Sequence, residues 1–217
     1  MRVCPALTRT QAVEAVEFGA NLAYELAGQG YRILCTGEMG IGNTTTASAV
    51  TSVLLNLDPA QVTGRGAGLS SEGLSRKVQA IRRALEVNQP RSDDPLDLVA
   101  KVGGYDLAGL CGVFLGGALA GIPVVVDCFI SGAAALLAVR LFPLVKGYLL
   151  ASHCSAEPAG RYVLEALELE PVITAKMCLG EGTGAVALLP LLDLALGVYE
   201  GMSTFQEISM ESYQPLD

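Results

Sequence analysis

Two glutamates are each enclosed by glycines: Glu38 in Gly37-Glu38-Met39-Gly40 and Glu181 in Gly180-Glu181-Gly182. Glycine neighbours leave room for a ligand and offer no side chain to solvate a carboxylate. A glutamate placed this way is expected to be poorly hydrated and suited to accept a proton. Glu181 is therefore the candidate general base, and a helix-end carboxylate favoured by the macrodipole is the structural alternative. The segment GEMGIGNTTTAS, residues 37–48, adds a second kind of chemistry. A glycine cluster between a strand and a helix presents backbone N–H groups and a positive helix end to an anion. Gly37, Gly40, Gly42, Asn43 and Thr44 are candidate contacts. The spacing approaches a P-loop, but Asn43 stands where that loop needs a lysine to reach the terminal phosphates, which argues against an NTPase.

A second anion site is expected at Gly64-Arg65-Gly66-Ala67-Gly68, with Lys77 on the helix that follows. The amides of Gly66 and Gly68 could cradle a phosphate, with Lys77 as a point charge beside Arg65 and Arg76. Three further polar residues lie just after apolar segments. Asp127 reads as a ribose-hydroxyl ligand or a buried residue bonded to backbone. Ser155 reads as a substrate contact or a helix cap. His153 is the only histidine, so neither a Ser-His-Asp set nor a metal set can be completed around it.

The elements that must position these residues alternate. Residues 8–29 read as an amphipathic helix with a Thr8/Gln11 capping box and a stripe of Val13, Val16, Leu22, Ala23 and Leu26. Strands are expected over 31–36, 123–127, 147–151 and 175–179. Helices are expected over 44–55, 131–141, 157–169 and 185–196. A basic helix is expected over 71–85, followed by a linker in which Asp94 or Ser92 caps the next helix. Such alternation predicts a parallel sheet with crossover helices, and ligands then bind beyond the carboxyl ends of the strands. Both glutamates should share that edge. Residues 107–126 carry no charge, yet Gly109, Gly112, Gly116, Gly117 and Gly121 interrupt them and no cation flanks them. They read as a buried helix over about 105–121 and a strand, not as a membrane span.

The 217 residues fit a single domain, residues 1–217, with a polar tail after Gly201. The net charge of −8 disfavours nucleic acid and anionic lipid, both of which need clustered Lys and Arg. The six cysteines form no C-x-x-C pair, and most are expected to be buried apolar residues of a cytoplasmic protein.

Taken in order, GEMGIGNTTTAS, GRGAGLSSEGLSRK, VGGYDLAGLCG, VVVDCFISGAAALLA, SHCSAEP and LGEGTGAVAL resemble the nicotinate-nucleotide:dimethylbenzimidazole phosphoribosyltransferase family of cobalamin biosynthesis. The resemblance implies a doubly wound, Rossmann-like α/β fold, usually homodimeric. It implies transfer of ribose 5-phosphate from nicotinate mononucleotide to a benzimidazole-type base, with no metal and no cofactor. Position by position, it matches Glu181 to the proton acceptor and Glu38 to a pocket glutamate. Gly66, Ala67, Gly68 and Lys77 match the phosphate loop and its lysine. Ala67 stands where a hydroxyl residue is common and Cys128 where glycine is common. Pro5-Ala6-Leu7-Thr8 matches a mid-chain landmark, so the chain is expected to be the C-terminal, catalytic part with a reduced small domain. That leaves two expectations open: a transferase whose missing wall a second, unlike chain supplies, or a non-catalytic ligand-binding or partner subunit.

Overall fold

The computed structural model describes residues 1–211, 213 and 214. Its helices are α1 (Arg9–Gly28), α2 (Thr44–Leu55), α3 (Pro59–Val62), α4 (Ser71–Asn88), α5 (Pro95–Val102), α6 (Tyr105–Ala120), α7 (Phe129–Leu141), α8 (Pro158–Leu167) and α9 (Thr183–Gly201). The strands are β1 (Leu34–Cys35), β2 (Val124–Val126) and β3 (Leu149–Ala151), paired in parallel in the order β1-β2-β3. This is an α/β fold with a parallel sheet and helical crossovers, as the alternation predicts.

The central strand β2 is buried on both faces, as expected within a parallel sheet. Val124 and Val126 face a large core shared with α1, α2, α5, α6, α7 and α8. Val125 faces the other way, against Ala185 and Leu188 of α9. The closest packing joins α1 to α6. Added Cβ atoms would collide with backbone at Gly19 (against Gly109 O), Gly112 (against Val16 O) and Gly116 (against Ala20 O). Gly112 and Gly116, with Gly19 opposite, therefore serve a helix–helix contact that no larger side chain would allow. The same contact shifts the buried face of α1 to Ala12, Val16, Gly19 and Ala23, while Leu22 of the expected stripe is exposed. Small residues, not the largest apolar ones, mark the buried side when backbones approach this closely.

Two expected strands change. Residues 143–148 form a 3-10 turn after Pro143, leaving only Leu149–Ala151 as strand. Residues 175–179 are irregular, and the sheet is extended instead by a single parallel bridge between His153 and Ile173. Lys176 at φ 53° breaks any extended run there. The capping box at Thr8 forms, Asp94 caps α5, and Asn43 occupies the α2 N-cap without bonding through its side chain there.

Helix α9 is the one element among the described residues long and apolar enough to cross a membrane. Only its first turns pack on the sheet. Leu191, Leu194, Leu196, Val198 and Tyr199 are exposed, as is the polar tail through Glu211. The cysteines also depart from expectation. Cys4, Cys35 and Cys178 are exposed, and only Cys111 is fully buried, its thiol pushed up to about 12 by burial.

Candidate active site

The carboxyl ends of the strands open onto a cavity of about 330 Å³. Each strand contributes the loop that follows it. Glu38 and Gly40 come from the loop after β1, Asp127 and Cys128 from the end of β2, and Glu157 from the loop after β3. Gly180 and Glu181 line the same cavity from the segment that enters α9. The two glycine-enclosed glutamates thus share one sheet edge.

Their loops touch each other directly. A Cβ on Gly37 would lie 2.5 Å from Gly182 N, and one on Gly180 would lie 3.0 Å from Glu38 O. The N–H of Glu181 donates to Glu38 O at 2.9 Å. Gly37 and Gly182 therefore do not line the cavity; they let its two acidic loops meet. The N–H of Gly40 donates to the Glu38 carboxylate, which folds that side chain back over its own turn. Gly180, Glu181 and Gly182 are all left-handed, at φ 75°, 58° and 81°. Such a conformation is unfavourable for glutamate, so the neighbouring bonds must hold it. Glu181 is exposed at the rim, not desolvated as its glycine neighbours suggest, because glycines add no wall of their own.

The opposite wall carries the anion-binding candidates. Thr44, Gly66 and Ala67 line the cavity. Lys77 reaches them from α4: its ammonium donates to Thr44 Oγ1 at 2.8 Å and to Gly64 O at 3.0 Å. Lys77 is only 8% exposed. Burial lowers its pKa, and the nearby Glu157 carboxylate acts in the opposite sense. Gly66, at φ 53°, lies where a Cβ would sit 3.0 Å from Thr44 Oγ1. Gly68 closes the loop by donating to Arg65 O at 3.3 Å, so its N–H is occupied. The remaining local cations turn outward. Arg65 donates to Leu69 O and Ser71 Oγ, and exposed Arg76 pairs with Glu72. One buried lysine thus supplies the positive charge of this wall.

Other expected contacts lie elsewhere. Asn43 Nδ2 donates to Asp106 Oδ2 at 2.7 Å, tying the loop to α6 and away from the cavity. Gly42, at φ 86°, shapes the turn without lining it. Ser155 Oγ accepts from the N–H of Glu157 at 3.2 Å and lies 3.2 Å from Cys128 Sγ, so it serves the start of α8. Asp127 lines the cavity but is 1% exposed, with both oxygens bonded to backbone N–H groups of the α9 entrance. His153 is 3% exposed beneath it, Nδ1 at 3.0 Å from Ser152 Oγ. Burial lowers the His153 pKa, with the Asp127 charge opposing.

Sequence reasoning passed over Glu157 and the apolar floor formed by Phe129, Ile130 and Leu179. Glu157 follows directly on SHCSA, and its place in the loop between β3 and α8 was the available signal. Chemically, the cavity joins apolar side chains able to take a flat ring, carboxylates able to accept a proton or stabilise positive charge, and the Thr44 hydroxyl and Gly66–Ala67 backbone beside one ammonium, able to hold a phosphate.

That combination lies at the strand ends of a parallel α/β protein. A family model described as phosphoribosyltransferase matches residues 1–210, and the chain belongs to that family. Enzymes named nicotinate-nucleotide–dimethylbenzimidazole phosphoribosyltransferase are similar throughout. The one from Acetivibrio thermocellus is 49% identical over 211 residues, covering 97% of this chain and 60% of its own length. The one from Alkaliphilus metalliredigens is 50% identical over 203 residues, covering 94% and 58%. The crystal structure of CobT from Thermus thermophilus superposes with a TM-score of 0.89 at 44% identity, covering 96% of this chain and 62% of that one. The chain thus spans about 60% of the length of these relatives.

Proposed function

We propose that this chain carries the reaction-bearing part of a nicotinate-nucleotide:dimethylbenzimidazole phosphoribosyltransferase in cobalamin biosynthesis. The donor is nicotinate mononucleotide, and the acceptor is a benzimidazole-type base. The acceptor nitrogen attacks C1′ of the ribose, forming a new C–N bond on the face opposite the departing ring. The bond from C1′ to the nicotinate nitrogen breaks, and its electron pair leaves with nicotinate. The donor ring is already a pyridinium, so the leaving group needs no proton. The acceptor must lose its N–H proton, and Glu181 takes it. Positive charge building on the ribose is stabilised by the carboxylate wall, Glu38 included. The phosphate rests against Thr44, the backbone of Gly66 and Ala67, and Lys77. The products are α-ribazole 5′-phosphate and nicotinate.

The observation that carries this reading is that Glu181 and Glu38 line one cavity together with Thr44, the hydroxyl to which buried Lys77 donates, within a chain about half identical to enzymes of that name. We read the protein as cytoplasmic, in keeping with its free thiols, and as working in a homodimer or beside an unlike chain. Further polypeptide at the rim is favoured by two observations. Glu181 is exposed where a base needs a dry pocket, and the apolar outer face of α9 is uncovered. A binding subunit without turnover is the second reading those same observations favour.

Incubation with nicotinate mononucleotide and dimethylbenzimidazole, followed by chromatography for α-ribazole phosphate, separates the two. Product formed by the chain, alone or with the remaining segment of a relative added, supports the transferase. Mononucleotide binding by calorimetry with no product in either case would leave only the binding subunit.

A further inference from the structure

Asp127 ends β2 with a carboxylate that is 1% exposed. A buried charge is costly unless hydrogen-bonded or paired. Among the described residues no Lys or Arg pairs with it; its partners are backbone amides. Oδ2 accepts from Gly182 N at 3.0 Å, and Oδ1 accepts from Ala185 N at 3.0 Å. Ala185 N is the third-residue donor of α9 that an N-cap side chain would ordinarily serve, and Gly182 N is the N-cap donor that a capping box gives to the third residue's side chain. The N-cap position itself is Gly182, which has no side chain to offer, and its φ of 81° would strain any replacement. Helix α9 therefore receives its cap from a different strand, and the negative charge also faces its positive end.

We infer that Asp127 is the positioning residue for Glu181, acting through the backbone of the α9 entrance and not by touching the substrate. The assignment of a catalytic consequence rests on the transferase reading above. The geometry behind it stands apart from that reading. Glu181 sits between two left-handed glycines and is itself left-handed, at φ 58°. Two bonds fix its backbone there: its own N–H on Glu38 O, and the next N–H, that of Gly182, on Asp127. Release of the second bond lets the turn relax toward conformations glutamate prefers, and the carboxylate then leaves its place at the cavity.

The backbone that carries the aspartate is fixed as well. Ser152 Oγ donates to Val126 O or Asp127 O, at 2.7 and 3.0 Å. The His153 ring fills the space where a Cβ on Gly184 would stand, a position that is also 3.0 Å from Asp127 Oδ1. Gly184 is thus required for His153 and Asp127 to reach the helix end together. The aspartate has no freedom to turn toward a ribose without giving up α9.

The variant Asp127→Asn keeps the size of the side chain but sets an NH2 donor against one of the two N–H groups. Misplacement of a catalytic group by about 1 Å costs about 100-fold in rate, and a fall of that order in kcat is expected with mononucleotide affinity unchanged within about threefold. The double variant Asp127→Asn/Glu181→Gln should be no slower than Glu181→Gln alone, because Asp127 acts only through Glu181. Amide exchange at Gly182 and Ala185 should quicken in Asp127→Asn while that of Val125 stays slow. Should Asp127→Asn fail to fold, the smaller Asp127→Ser takes its place with the same expected pattern. An unchanged kcat would reduce Asp127 to a cap, and a loss of mononucleotide binding beyond about tenfold would make it a substrate ligand; either overturns the inference. If the unmodified protein turns nothing over, alone or with the remaining segment of a relative added, the transferase reading falls, yet unaltered exchange at Gly182 and Ala185 would still overturn the clamp by itself.

Discussion

The two walls of the cavity are held by different parts of the chain's chemistry. The Glu181 wall is fixed by backbone: Glu181 N to Glu38 O, Gly182 N and Ala185 N to Asp127, and Gly37 pressed on Gly182. The Lys77 wall is fixed by a side chain, whose ammonium spans Thr44 Oγ1 and Gly64 O. Backbone bonds set the direction of a group to a fraction of an ångström but add no charge. A buried ammonium adds charge but reaches it through a flexible stem. The difference assigns reaction geometry to the first wall and anion affinity to the second, and substitutions should separate rate from binding accordingly.

The largest effect is expected at Glu181. Glu181→Gln keeps the shape and removes the proton acceptor. General-base contributions of about 100- to 10,000-fold set the expected loss of kcat, with mononucleotide affinity altered by less than about threefold. Steady-state rates and calorimetry check this. Equal losses in both would mean that the walls are not separable. Lys77→Met is the converse test. Hydrogen bonds to a charged group contribute about 1.5–3 kcal/mol, so mononucleotide affinity should weaken by about 10- to 150-fold while kcat at saturation changes far less. A kcat effect exceeding the binding effect would move Lys77 to the reacting atoms.

Gly37→Ala distinguishes backbone contact from side-chain chemistry. Its Cβ would lie 2.5 Å from Gly182 N and 2.8 Å from Gly182 Cα, so the two loops must part. Overpacking of this kind costs about 1–3 kcal/mol, read as a lower melting point, and kcat should fall by about tenfold or more. Gly28→Ala is the control: no atom lies within 4 Å of its added Cβ, and stability should hold or rise slightly.

This contrast also explains what the sequence disclosed. Side-chain chemistry was legible as residue types: Glu38, Glu181, Lys77 and Thr44 could be singled out because carboxylates, ammonium and hydroxyl have evident roles. That Glu38 and Glu181 share one sheet edge followed from alternating elements and the rule that ligands sit beyond strand ends; the approach of Lys77 to Thr44 did not. Direction was not legible. Nothing in GRGAG distinguishes the outward Arg65 from the inward Lys77, since that depends on Arg65 finding Leu69 O and Ser71 Oγ. Nor could Asn43 be seen to serve Asp106, sixty-three positions away. The four expected strands became three because the left-handed Lys176 ends extension within 175–179, a backbone property no side chain announces. Glu181 looked desolvated because glycines were read as a cage. Glycines remove cover as readily as they make room, and the rim stayed open.

The smallest expected effect concerns pH, and it again divides the walls. His153 is buried beneath Asp127, and its pKa is lowered from 6.5 chiefly by burial, against the opposing charge of Asp127. The unfolded chain therefore binds a proton that the folded chain resists. Stability should be unaffected by this group above about pH 6.5 and should fall below it, by up to about 1.4 kcal/mol per pH unit, until the folded value is reached. Lys77 has the same sense in a different window. Burial lowers its pKa from 10.5, so stability should rise with pH between the folded value and 10.5 as the ammonium loses its proton in the folded state first. Chemical denaturation of His153→Gln and Lys77→Met at a series of pH values assigns each window to its wall. The glutamine variant should flatten only the acid limb and the methionine variant only the alkaline one. Stabilisation on acidification through pH 6.5 would instead mean that an ion pair between Asp127 and protonated His153 outweighs burial. The clamp on the α9 entrance would then tighten at low pH, and the backbone-built wall would depend on charge after all.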